Sequence, residues 1–183
     1  PPARHLRSSY RDIWQLSWPV MLSNISLPLV GAVDVAMMGH LSDPAYIGGV
    51  GLGMLGFNLL DFGFGFLRMG TTGFTARARG EGNIPEAISL LIRGLMLATL
   101  CGTALIILHP ILVWSASRLL EASPAVERHM AHYISIRIWA LPAALSNIAL
   151  LGWLFGMQSM RMGMMQLFII NLGNIGLNIL FVM

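Results

Sequence analysis

The stretch Ile13–Gly39 carries a single charge, Asp34. Roughly 20 apolar residues are enough to cross the hydrocarbon core of a bilayer, so this stretch can span one. A lone carboxylate there costs on the order of 2.5–3.5 kcal/mol on insertion scales if it stays charged at the centre. It is tolerated when it faces protein or water, finds partners, or takes up a proton. The last option makes Asp34 a candidate proton switch.

The rest of the chain obeys the same constraint. Of 183 residues, 56% are hydrophobic and only 10% are charged, whereas a soluble domain carries about 25% charged residues. The expected fold class is therefore all-α, a polytopic membrane helix bundle. All eleven basic residues are Arg. They sit mostly in connections, and no basic run is interleaved with aromatics, so the positive balance does not point to nucleic acid. Cys101 is the one cysteine, which excludes a disulfide framework or a zinc site. The first residues, PPARHLRSSYRD, do not make a signal peptide: the apolar run after them is too long and lacks a small-residue cleavage site. The chain lacks an initiator Met and stops inside NIGLNILFVM, which reads as a fragment.

Five spans can be drawn, at about 13–39, 44–78, 85–114, 124–157 and 162–183. Asp43-Pro44 and Ser123-Pro124 pair an N-cap residue type with Pro at the first helical position, and Asn83-Ile84-Pro85-Glu86 resembles a capping box. Arg4, Arg7, Arg11, Arg77, Arg79 and Arg161 fall on one side of this layout, Arg118 and Arg128 on the other. The positive-inside rule then puts the N-terminus in the cytoplasm.

Polar residues inside the spans are the candidate site. On the first helix Ser23 and Gly31 share the face of Asp34, and Pro19 and Pro28 each remove a backbone hydrogen bond and invite a kink. Asn171, Asn174 and Asn178 fall at i, i+3 and i+7 and form one polar stripe. Such a stripe either lines a site or glues helices together at about 0.6 kcal/mol per bond. The second span carries Asp61 and Arg68 at i, i+7, too far apart for a direct bond along one helix. Arg68 and Arg93 lie where they can snorkel, while Arg137 sits deeper and calls for a partner. Gly49-x-x-x-Gly53 is a close-packing signal of low specificity. The thirteen Met suit either core filling or an adaptable apolar cavity. His129 and His132, at i, i+3, have no third ligand nearby, so no metal site is expected. No nucleophile–base constellation, P-loop or dinucleotide fingerprint is present, and neither an enzyme nor a cofactor is expected.

The segments WPVMLSNISLPLVGAVDVAMMGHL, FLRMGTTGFTARARGEGN and LPAALSNIALLGWLFGMQ, in that order, resemble the multidrug and toxic-compound extrusion (MATE) family in its DinF-like branch. In that resemblance Pro19 and Asp34 match the first-helix proline and proton-site aspartate, and Arg68–Gly73 matches the second-helix motif. Asn174 and Asn178 fall where the fifth helix lends polar residues to the same pocket. Some members carry an aspartate at the position of Asn178. The amide here leaves Asp34 as the only carboxylate assigned to the pocket and argues against a sodium site. The resemblance implies a twelve-helix antiporter in the bilayer, in a bacterial inner membrane, exporting small amphipathic or cationic drugs against protons. This chain would be five helices of its six-helix N-terminal lobe, and the C-terminal lobe would be its partner. A lipid or lipid-linked precursor flippase is the alternative, with Arg68 and Arg137 as its phosphate-binding candidates. A non-transporting membrane scaffold is the third reading.

Overall fold

The computed structural model describes residues 44–120 and 122–182, together with Trp14, Ser17, Trp18 and Met21; the side chains of Leu120, Asn178, Ile179, Phe181 and Val182 are not among those described. Asp34, Pro19 and Pro28 lie outside the described residues. Every described element is a helix, and the protein is an all-α membrane bundle. The helices are α1 (Pro44–Gly63), α2 (Gly65–Gly80), α3 (Ile84–Ile107), α4 (His109–Leu120), α5 (Pro124–Arg137), a 3₁₀ turn (Ile138–Ala140), α6 (Leu141–Gly156) and α7 (Met160–Val182). Three continuous rods among the described residues are long and apolar enough to cross a membrane: Pro44–Gly80, Ile84–Ile107 and Pro124–Gly156. Helices α1–α6 belong to one compact unit, Met38–Met157, and α7 to another.

Local chemistry sets the helix starts. Asn83 caps α3, its side-chain oxygen accepting from the backbone N–H of Glu86 at 3.1 Å, with Pro85 in the first turn. The Glu86 carboxylate does not return to Asn83; it meets Arg93 at 3.3 Å, so the capping box is one-sided. At α5, Ser123 makes no side-chain cap and Pro124 alone shapes the start.

Helices α1 and α5 pack together, while α6 packs against α2 and α3. Each group has its own core. Phe57, Met130, Ile134, Ile138 and Leu141 form the first, flanked by Leu112, Val113 and Ala116 of α4. Leu67, Ala98, Leu145 and Ala149 form the second. Large apolar side chains such as Leu59, Phe62, Met96, Leu100 and Trp139 stay exposed, as expected of a bundle whose outer solvent is lipid.

Small residues bring the rods together. A Cβ on Gly49 would lie 2.5 Å from the Cβ of His129 and 2.8 Å from the Met130 nitrogen. On Gly152 it would lie 2.6 Å from the Arg68 carbonyl oxygen, and on Gly102 2.5 Å from the Cα of Pro142. In lipid, where no hydrophobic drive separates helix from solvent, such backbone approach supplies the van der Waals contact that holds helices together.

Candidate functional site

Of the expected site residues, Asn171 and Asn174 lie on α7, where Asn171 is half-buried and Asn174 exposed. Both make interactions. Asn178 continues the same helix a turn later. The stripe read from the sequence is thus carried by one continuous helix.

The secondary polar candidates fall within the α1–α6 unit, and the structure sorts them. Arg137 points from the end of α5 onto α1. Its guanidinium carbon lies 4.9 Å above the centre of the Phe57 ring and 5.6 Å from that of Tyr133, and its Nη1 donates to the Tyr133 hydroxyl. Phe57 meets Tyr133 edge-on at 6.1 Å. A guanidinium on an aromatic face is held by the ring quadrupole, more strongly as water is excluded. The partner that Arg137 calls for is therefore an aromatic cradle. Asp61 stands one turn beyond Phe57 on the same face of α1, and Arg137 is the positive charge that acts on it. The two do not form a direct ion pair.

Arg68 does not join this cluster. Its backbone packs against Gly152 and its side chain is exposed, whereas Arg137 lies on the opposite side of the 3₁₀ turn from Gly152. The Thr-rich motif that follows Arg68 is an interface. Thr72 Oγ1 lies 2.7 Å from the Arg68 carbonyl and 2.9 Å from the Gly152 carbonyl. Thr71 donates back to Leu67 at 2.6 Å. Thr75 is fully buried against Gly156, its hydroxyl without a partner among the described residues.

Sequence reasoning missed Tyr133 and Phe57. Tyr133 and Arg137 stand at i, i+4, a spacing that places them on one face, so half of the cradle carried a signal. Phe57 comes from another helix and carried none. Also unanticipated is an apolar groove of about 290 Å³ between α1, α4 and α5, reaching from Leu52 to Leu60 and bounded by Ile134 and Ile138. His129 meets the Tyr46 ring at 4.6 Å, and no group of three metal-ligating side chains exists among the described residues.

A protein-family model described as MatE matches residues 19–180. DNA damage-inducible protein F of Escherichia coli (strain K12) is 39% identical over 179 residues, covering 97% of this chain and 39% of that protein. The probable multidrug resistance protein NorM of Caulobacter vibrioides is 27% identical over 176 residues, covering 93% of this chain and 36% of that protein. No solved structure matches. The chain thus spans about two-fifths of the length of these relatives. The matched region takes in all three membrane rods and α7 up to residue 180, and on that extent the chain belongs to the MatE family.

Proposed function

We propose that this chain is the N-terminal part of a proton-coupled multidrug efflux antiporter and carries its coupling site. The observation that carries the reading is Asp34, the single charge in a span-length apolar stretch; intramembrane ionisable groups mark ion and proton pathways. Family membership supports it, as does the name of the Caulobacter relative, a probable multidrug resistance protein. The amides of α7 are the proposed second element. An amide both donates and accepts, so Asn174 and Asn178 can serve either form of Asp34.

In this mechanism Asp34 alternates between a charged form, held by amide donors, and a protonated form that no longer needs them. Protonation lets the first helix bend near Pro19 and Pro28, and the change of shape couples proton entry to drug release. Small amphipathic or cationic drugs are the cargo, and a C-terminal lobe completes the path. The chain lies in a bacterial inner membrane with its N-terminus in the cytoplasm.

Asp34→Asn in the full-length protein tests the reading. Drug efflux driven by a proton gradient is expected to be lost while expression and insertion stay normal. Wild-type efflux by the well-inserted variant would overturn it. Orientation is tested separately: cysteines placed in the Arg77–Asn83 connection should react with impermeant reagents only from the cytoplasm. The flippase alternative requires Arg68 and Arg137 to share a cationic cavity, and these two arginines rest against different neighbours.

A further inference from the structure

Helix α1 turns different chemistry to the two sides of its seam with α5. The seam follows Gly49, Gly53 and Phe57, which meet His129, Tyr133 and Arg137. On one side of it Leu52, Gly56 and Leu60 border the apolar groove. Leu55 and Leu59 of the same border are exposed, a surface suited to lipid. Asp61 lies about 140° around the helix from the middle of the Leu52–Gly56–Leu60 row, at roughly 100° per residue, beyond Phe57 and on the other side of the seam. Asn58 stands three residues before Asp61 on that same side, and both are exposed.

The polar side sits deep. Asp61 is seventeen residues from one end of the rod 44–80 and nineteen from the other, counted as 61 minus 44 and 80 minus 61. The rod is about 55 Å long at 1.5 Å per residue and the hydrocarbon core about 30 Å thick, so a rod centred in the bilayer holds Asp61 close to the midplane. A carboxylate turned to lipid there is costly, and so is an amide without a hydrogen bond. The Asn58–Asp61 side of α1 therefore faces water or protein. Arg137 is the positive charge that acts on Asp61, yet the two form no direct ion pair. Its guanidinium is taken up by the Phe57 ring and the Tyr133 hydroxyl. The carboxylate is left without a donor among the described residues. Met54 and Phe62 stand one turn to either side of Asn58, and Phe62 is 85% exposed. A flexible thioether and a free ring beside a carboxylate suit an aromatic cation, which needs both an adaptable apolar surface and a counter-charge.

We propose that Asp61 and Asn58 form a binding site for an aromatic organic cation on a water-filled path, kept open because the Phe57–Tyr133 cradle holds Arg137 away from the carboxylate. The cation's charge rests on Asp61 and its ring system on Met54 and Phe62. Arg137 sets the affinity from the opposite direction. It is a competing positive charge close by, and the cradle keeps it from closing the site. The cargo rests on the export reading given above; the site does not depend on the role of Asp34.

The test measures equilibrium binding of ethidium, an aromatic cation, to the purified full-length protein in lipid, without a proton gradient. Wild type is expected to bind it saturably. Asp61→Asn should weaken binding by roughly three- to thirtyfold, the range of one charge contact between the dielectrics of water and protein. Arg137→Gln removes the competing charge and should tighten binding, and the double variant should bind no better than Asp61→Asn alone. If Arg137→Gln does not insert, Asp61→Asn decides, because its side chain is exposed and the change keeps its shape. The weakening by Asp61→Asn should persist in an Asp34→Asn background. Equal affinity in wild type and Asp61→Asn, or no saturable binding by wild type, would overturn the site while leaving proton-driven efflux to be judged by Asp34→Asn. A protein that binds ethidium through Asp61 but moves no drug would keep the site and overturn the export reading instead.

Discussion

The α1–α5 seam and the α2–α6 seam begin alike and end differently. Along α1–α5, Gly49 lies against backbone, Gly53 against the Tyr133 ring, and Gly56 against open space. The seam widens until side chains, Phe57 and Arg137, do the joining. Along α2–α6 it stays shut: Gly152 meets the Arg68 backbone, and a Cβ on Gly156 would lie 2.8 Å from the Thr72 carbonyl oxygen and 2.6 Å from the Cβ of Thr75. A backbone contact has no rotamer to change, whereas a side-chain contact can be remade elsewhere. One seam is therefore built to hold and the other to adjust.

The largest effect should come from forcing the closed seam. Gly152→Leu puts a side chain into the Arg68 backbone and is expected to cost roughly 3 kcal/mol or more, the upper end for overpacking. The full-length protein should insert poorly and lose its cooperative unfolding in detergent. Gly73→Leu, on α2 with no close neighbour, should unfold like wild type. Equal damage at both positions would erase the distinction between the seams.

Next comes a matched pair. Gly156→Ala meets the rigid, branched Cβ of Thr75 and the Thr72 carbonyl and should cost about 1–3 kcal/mol. Gly53→Ala meets a tyrosine ring that can turn aside, and should cost about 1 kcal/mol or less. Unfolding of both variants in the same detergent gives the comparison, and a larger loss at Gly53 would mean that the α1–α5 seam is as rigid as its counterpart.

A smaller effect is expected where α6 meets the start of α3. The indole N–H of Trp153 donates to the Ala87 carbonyl at 2.7 Å and ties α6 to the start of α3. Trp153→Phe keeps most of the ring and removes the donor. The expected loss is about 0.6 kcal/mol, typical of an interhelical bond in a membrane, with no change in the separation of α1 from α5. An unchanged unfolding midpoint would show that this bond is not part of what holds α6 against α3.

The sequence made some of this contrast legible. Gly49 and Gly53 were readable as a close-packing pair, and the partners turned out to be His129, Met130 and Tyr133. Gly152 and Gly156 have the same four-residue spacing, and nothing but their place in the Trp-Leu-Phe run Gly152–Gly156 hid them. The cap at Asn83 was readable because capping is a matter of four consecutive residues, here 83 to 86. The seat of Arg137 was not, because Phe57 lies eighty residues away, counted as 137 minus 57, and no local rule links them. Asp34 stands out in the sequence by the energetics of a lone charge in lipid, while the cradle stands out only once two helices are laid side by side.

Thr75 offers the finest test, because its expected effect has the opposite sign. Its hydroxyl is buried in the closed seam, against Gly156, with no partner among the described residues. A buried polar group left unsatisfied costs about 1–3 kcal/mol. Valine has nearly the same shape and no hydroxyl. If the seam is closed by shape alone at this position, Thr75→Val removes a liability and should raise the unfolding midpoint, by up to about 1 kcal/mol of stability. Efflux by the full-length protein should be unchanged. A drop in stability would instead show that the hydroxyl finds a partner in the assembled protein, and the α2–α6 seam would then carry a second polar contact beside that of Thr72 with the Gly152 carbonyl.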